Sequence, residues 1–317
     1  MSKTIPKVGP VSYTREWWDR RSSAIGASEA AAICGLSRWQ QPLDVYKRKL
    51  GQEKQPDITG DMARGHLFEP TVLEWYENKA GGTLYDPPML IHPEHDFMCA
   101  TPDALWSGSS LEEIQILEGH DKKWSWNLSY IPVEAKTTGK KEDWGPEGTD
   151  DVPQEYIMQA QQQMAVTGSK SCDMPVLFNN FKFRLYVIPR NDDLINMIIE
   201  CGKEMMDRVK NNDPPEPNWS HPRTYELIRQ IHGVTDGNVQ LSPETTELWI
   251  EAERLSKQAA KLKKDAEKCK AQVLYDMGDN GIGHLSDGRH LIRKKVKREA
   301  KEVRAMEYVT LRCKKSL

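Results

Sequence analysis

The sequence predicts an α/β fold, with a small central mixed sheet flanked by helices and a C-terminal helix and β-hairpin appended to it. Three observations predict it. Short apolar and β-branched runs at 89–92, 97–106 and 131–136 read as strands. Stretches with apolar residues at helical spacing lie before and after them. Beyond Pro214-Pro215 the pattern changes to a long 4-3 repeat, which marks the end of the core.

In chain order, residues 1–14 read as an arm and 15–216 as the core. TREWWDRRSSAIGASEAAAICGL reads as a helix, a Gly-containing turn and a second short helix capped near Ser28, with Glu29 in its first turn. PLDVYKRKLG is a further helix that Gly51 ends. MARGHLFEPTVLEWYENKAG is amphipathic through Leu67, Val72, Leu73, Trp75 and Tyr76 and stops at Gly81-Gly82. Residues 107–130 are a polar, Trp-bearing insertion between two strands. The Gly/Pro/acid stretch 139–153 reads as a loop placed to gate a site at the preceding strand. A helix over 153–166 buries Ile157, Ala160 and Met164. A hairpin of 173–178 and 182–189 turns at Asn179-Asn180, and a helix spans Asp192–Asn211.

The appendage, 217–317, carries Leu248, Ala252, Leu255, Ala259, Leu262, Ala266, Cys269 and Val273 in heptad spacing, then a hairpin with Asp287-Gly288 at its turn. Packing of this helix on its own hairpin is the expected use of the stripe, with oligomerisation as the other.

Composition narrows the class. The chain has 317 residues, and no apolar run approaches the roughly 20 residues of a membrane span. Cys34, Cys99, Cys172, Cys201, Cys269 and Cys313 are scattered without a C-x-x-C. That reads as reduced thiols of a cytoplasmic protein and leaves no clustered ligands for an iron–sulfur centre. The net charge of −3 conceals a split, because residues 286–317 hold 11 Lys/Arg against 4 Asp/Glu. Such a tail would hold phosphate electrostatically, although a solvated amphipathic end explains it equally well.

Chemistry concentrates in three segments: ATPDAL (100–105), IPVEAKTT (131–138) and EYIMQAQQQMAVTG (155–168). Cutting a phosphodiester at neutral pH requires a hydroxide and a counter-charge for the departing oxygen, and a carboxylate-held divalent cation supplies both. Asp103 and Glu134 are the candidate ligands. Two carboxylates meeting at a buried strand end repel one another unless a cation separates them. Lys136, two residues beyond Glu134, shares its face on a strand and would act on the same phosphate.

Taken in order, EWWDRRSSAIGASEAAAICGLSRWQQPLDVYKRKLG, MARGHLFEP, ATPDAL, VEAKTT and DDVPQEYIMQAQQQMAVTG resemble the PD-(D/E)xK nuclease superfamily. Within it they resemble the YqaJ-type phage recombination exonucleases, relatives of lambda exonuclease, over about residues 15 to 211. The resemblance implies a restriction-endonuclease-like core. It implies Mg²⁺, with Mn²⁺ as a substitute, and 5′→3′ digestion of double-stranded DNA ends in the cytoplasm of a bacterial host. It also implies 3′ single strands passed to a single-strand annealing protein, and a homo-oligomer in the form of a trimeric ring. Residue by residue, it implies that Glu69 binds metal through water and that Gln159 serves the active site. Gln161, Gln162 and Gln163 compete for that role, since a glutamine-rich face is usually solvated. Arg21 and Ser28 match positions that bind a 5′-phosphate. Met62 matches an apolar wedge at the DNA end, with core packing as its other reading. His66, His92 and His95 read as loop histidines, because Mg²⁺ prefers oxygen. Trp17, Trp18 and Trp39 read as core or end-stacking residues. An endonuclease with the same metal site, or a non-catalytic DNA-binding adaptor, are the competing functions.

Overall fold

The computed structural model describes residues 6–12, 14–52, 59–108, 130–231 and 237–295. Most of the 107–130 insertion and residues 296–317 of the basic tail lie outside them, as do residues 1–5 of the arm. Two compact units are present, Met1–Ile228 and Arg229–Leu317. Among the described residues no helix is long and apolar enough to cross a membrane.

The first unit begins with β1 (Lys7–Val8), α1 (Arg15–Ser22) and β2 (Ile25–Gly26). A 3-10 turn (Ala27–Glu29), α2 (Ala30–Ile33), α3 (Pro42–Lys49) and α4 (Gly60–Ala80) follow. Next come β3 (Thr83–Tyr85), β4 (Leu90–Ile91), β5 (Met98–Ala100), β6 (Ala104–Ser107), β7 (Ile131–Val133) and β8 (Lys136–Thr138). The unit continues with α5 (Gln154–Thr167), β9 (Ser171–Phe178), β10 (Phe183–Pro189) and α6 (Asp192–Asn211), and the division falls within α7 (Thr224–Ile231). The second unit holds α8 (Pro243–Met277) and the hairpin β11 (Ile282–His284) and β12 (His290–Ile292). The mixed α/β class is therefore the observed one.

The larger sheet runs β10-β9-β7-β6-β3, with β8 also paired to β9. β7 and β8 lie parallel to β9, and the other pairs are antiparallel. β9 is covered on both faces, which is why its sequence is apolar almost throughout. Cys172, Met174, Val176 and Phe178 pack with Ala160 and Met164 of α5. On the alternate positions Asp173 accepts a 2.6 Å hydrogen bond from Tyr76 Oη of α4. Thr59 caps α4 by accepting the Met62 N–H, and Val72 and Tyr76 are the buried positions of that helix. Leu67, expected on its buried stripe, is 72% exposed, outside those buried positions.

Two further expectations change. Residues 97–106 and 131–136 are not continuous strands, since each breaks at the position that carries a carboxylate, Asp103 and Glu134. The 139–153 loop is not hinged as a gate, because Trp144 and Val152 are buried in the α5/β9 core. Gly148 N–H donates to Leu185 O, and Tyr186 Oη donates to Gly145 O. The β9–β10 turn falls where expected, although its left-handed residue is Phe181, at φ 58°.

His92, at the end of β4, is buried and accepts the N–H groups of Glu94 and His95 at Nδ1, which closes a tight turn. Burial pushes its pKa down to about 4, with the neighbouring His95 adding to the shift. The unfolded chain therefore takes up this proton near pH 6.5 and the folded chain only near pH 4. Stability is lost as pH falls through that window, by up to about 3 kcal/mol. His92→Asn keeps an acceptor without a titrating ring, so its urea midpoint should fall less steeply than that of the parent between pH 6.5 and 4. Equal slopes in the two proteins would remove His92 as the cause.

Candidate active site

Strand register brings the two carboxylates together. Ala104 of β6 pairs with Val133 of β7 in antiparallel register, so one step outward sets Asp103 opposite Glu134. There the ladder is interrupted, because Ala135 N–H donates to Asp103 Oδ2 at 2.8 Å instead of to a neighbouring strand. Glu134 N–H keeps its parallel partner, Asp173 O. The chain then resumes as β8 with Lys136, whose Nζ donates to Glu134 Oε1 at 2.5 Å. The two-residue spacing puts Lys136 on Glu134 as expected, but across a break in the strand.

Glu134 is 4% exposed, and helix α5 supplies the rest of its hydrogen bonds. Gln159 Nε2 donates to Oε1 at 2.5 Å, and Gln163 Nε2 donates to Oε2. The two glutamines are one helical turn apart, so a single face of α5 reaches both carboxylate oxygens. A buried carboxylate is tolerated only when its oxygens are so satisfied. Gln163 thus joins Gln159 at the site instead of competing with it. Its neighbours have other tasks. Gln161 Nε2 donates to Pro189 O, and Gln162 Nε2 donates to Ile25 O and Cys99 O. All three of Gln161, Gln162 and Gln163 are buried, contrary to the expectation of a solvated glutamine face.

The electrostatics are those of crowded acids. Asp103 is held well above the ordinary carboxylate range, first by burial and then by the charges of Glu134 and Glu69, with Lys136 opposing. Glu69, half-buried on α4, is raised by burial and by Glu134. Pro70 lies directly after it inside the helix and has no N–H for the carbonyl one turn back. For Lys136, burial works to lower the pKa, but the charges of Glu134 and Asp103 prevail and raise it. Its Nζ also lies 5.0 Å from the centre of the Tyr156 ring, itself stacked toward Trp39 at 5.7 Å. Tyr156 was not among the sequence candidates. Its only signal was an aromatic one turn before Gln159.

The donors are all oxygen, and the mutual repulsion that lifts Asp103 and Glu69 is what a divalent cation relieves. The residues fit such an ion in chemistry. Among the described residues, however, no three His, Cys, Asp or Glu side chains are gathered closely enough to hold one.

Arg21 and Ser28 also meet. Arg21 Nη2 donates to Ser28 Oγ at 2.8 Å, with the guanidinium 5.0 Å over the Trp17 ring. Ser28 sits inside the 3-10 turn and is not its cap. Gly26 is the N-cap, and the Glu29 carboxylate closes the turn by accepting Gly26 N–H at 2.9 Å. Glu29 is buried and paired with Arg48 and Lys49, at 2.8 and 2.7 Å. Met62 is 42% exposed, which excludes core packing. His66 is exposed, and His92 spends its Nδ1 on backbone N–H groups. Trp17 is buried, while Trp18 and Trp39 are partly exposed.

Residues 16–170 match the profile of the YqaJ-like viral recombinase domain. The chain is 26% identical over 281 residues to the uncharacterized protein YqaJ of Bacillus subtilis (strain 168), spanning 86% of this chain and 81% of that protein. Among solved structures, it is similar to the alkaline exonuclease LHK-Exo from Laribacter hongkongensis. There the identity is 20% and the TM-score 0.45, covering 68% of this chain and 97% of the other. It is also similar to a phage related exonuclease from Haemophilus somnus 129PT, at 12% identity and TM-score 0.41, covering 60% and 96%. Every residue placed at the site falls inside the matched segment.

Gln163→Leu removes one charge-assisted donor from a buried carboxylate. It should lower the unfolding free energy by about 1.5–3 kcal/mol in urea titration. Gln154, exposed at the start of α5, is the control, and Gln154→Leu should change little. Equal effects from the two substitutions would show that Gln163 does not support Glu134.

Proposed function

We propose that this chain is a divalent-metal-dependent exonuclease that digests double-stranded DNA from its 5′ ends and leaves 3′ single strands for recombination by an annealing partner. The observation that carries the reading is the facing pair Asp103 and Glu134, set in adjacent strand breaks with the Lys136 ammonium on Glu134. The match of residues 16–170 to a viral recombinase domain supports it.

Asp103, Glu134 and, through water, Glu69 would hold the cation, Mg²⁺ or Mn²⁺, which when bound makes water nucleophilic at neutral pH and offsets charge on the phosphate. The protein's own groups do the rest. Gln159 and Gln163 fix the Glu134 carboxylate in one orientation, so its oxygens need no reorganisation when substrate arrives. Lys136, kept charged by Glu134 and Asp103, donates to the phosphate oxygens as negative charge develops. Arg21 presents a planar fork to a terminal 5′-phosphate, with Ser28 Oγ as a second donor.

Three measurements test this. Strand-labelled linear, nicked and closed circular duplexes, digested with Mg²⁺ and with chelator, should give metal-dependent loss of 5′ label from linear DNA alone. Cutting of the closed circle would make the protein an endonuclease. DNA binding without cleavage under every metal condition would make it an adaptor. Lys136→Met should lower turnover by roughly 10²–10³-fold with little change in DNA affinity, since its charge acts in the transition state. A 5′-phosphorylated duplex should be digested faster than its 5′-hydroxyl counterpart, and Arg21→Ala should abolish that difference. Equal rates with the parent protein would remove the phosphate role of Arg21 and Ser28.

A further inference from the structure

Helix α8 contains no buried residue over its 35 positions. Its heptad stripe, expected to pack on the hairpin that follows, is instead exposed. Leu248, Leu255 and Leu262 are 71%, 50% and 62% exposed, and Val273 38%. The last turn meets the hairpin, where Met277 lies against Gly283. The covering of this seam therefore has to come from outside the helix and its hairpin.

The seam is built to a rule. One of its two positions holds Ala252, Ala259 and Ala266 before Val273, and the other Leu248, Leu255 and Leu262 before Cys269. A parallel pair of such helices would stack alanine on alanine and leucine on leucine, alternating gaps with bulges. An antiparallel pair sets every alanine against a leucine or the cysteine, so the four central layers are all Ala–Leu, of equal volume, and the helices keep one spacing there. The opposite face carries Lys257, Lys261, Lys264 and Lys268, all exposed and spaced along one side of the helix.

We propose that α8 pairs antiparallel with α8 of a second copy of this chain, about a two-fold axis passing between Ala259 and Leu262. Ala259 then faces the partner's Leu262, Ala266 faces the partner's Leu255, and Ala252 faces the partner's Cys269. Val273 closes the end against the partner's Leu248. The flanks agree in charge. Trp249 comes beside the partner's Lys270 in a cation–π arrangement, and Gln258 beside the partner's Asp265, so no like charges meet. A two-fold pair of this kind is self-complementary, with both copies using one surface. The four lysines of each copy point outward to solvent. The pairing is independent of the nuclease reading, and its test reads assembly alone.

The full chain should have the mass of an even number of copies by light scattering at micromolar concentration. Leu262→Glu, which puts a carboxylate in the central layer, should halve that mass, while Lys261→Glu on the outer face should leave it unchanged. In the Ala252→Cys variant, mild oxidation with copper–phenanthroline should join the introduced thiol to the partner's Cys269, identified by peptide mapping. A single-chain mass, or a mass unaltered by Leu262→Glu, would overturn the pairing. A link from Cys269 to the partner's Cys269 would show parallel helices and overturn it as well.

Discussion

The site depends on how the oxygens of a buried carboxylate are satisfied. Glu134 sits in a strand break beside a second acid, with almost no access to water. Unaided, its oxygens would be left buried without partners beside a second acid. Three donors prevent this: the Lys136 ammonium and the amides of Gln159 and Gln163. Two of the three are neutral. That matters, because amides satisfy lone pairs without cancelling the negative charge that a cation or a phosphate-activating lysine needs nearby. A site walled with arginines would be more comfortable when empty and less useful.

Helix α5 organises much of the first unit for the same reason. Its glutamines do not share one role. Gln159 and Gln163 hold Glu134, Gln161 ties the end of β10 to the start of α6, and Gln162 bridges β2 and β5 through two backbone carbonyls. Ala160 and Met164 fill the space above β9. The QAQQQM run is thus divided among the acid, two backbone bridges and the core above β9. The helix is buried nearly all round, although its sequence is largely polar.

That arrangement explains what could be read from the sequence and what could not. That Asp103, Glu134 and Lys136 meet was legible because the proposed chemistry calls for those residue types near strand ends, and apolar runs mark strand ends well. The breaks were not. A carboxylate that captures the Ala135 N–H interrupts the ladder through a contact 32 residues away in sequence, which no local pattern reports. Gln163 was ambiguous for a similar cause, since a glutamine on a solvated face and one bonded to a buried acid have the same sequence signature. The helices α5 and α6 came out nearly to the residue, because their limits are set locally by Pro153, Asn191 and Asn212. Ser28 was misplaced as a cap because Glu29, one position on, supplies the acceptor across the turn. The 139–153 loop looks hinged by composition, yet its single tryptophan is enough to anchor it in the core.

The two units of the chain meet opposite physical problems. The first buries polar groups and meets most of them with glutamine amides, backbone N–H groups and the Glu29–Lys49–Arg48 ion cluster. The second exposes apolar groups. Leaving a leucine in water instead of burying it forgoes roughly 1.5–3 kcal/mol, and an isolated helix gains little from propensity alone. A 35-residue helix with leucines at regular intervals and no core of its own is therefore incomplete as it stands. Regularity is the telling part. Scattered exposed leucines are ordinary on any surface, whereas a leucine every seventh residue, each separated from the next by an alanine at the intervening seam position, describes the surface of its own counterpart.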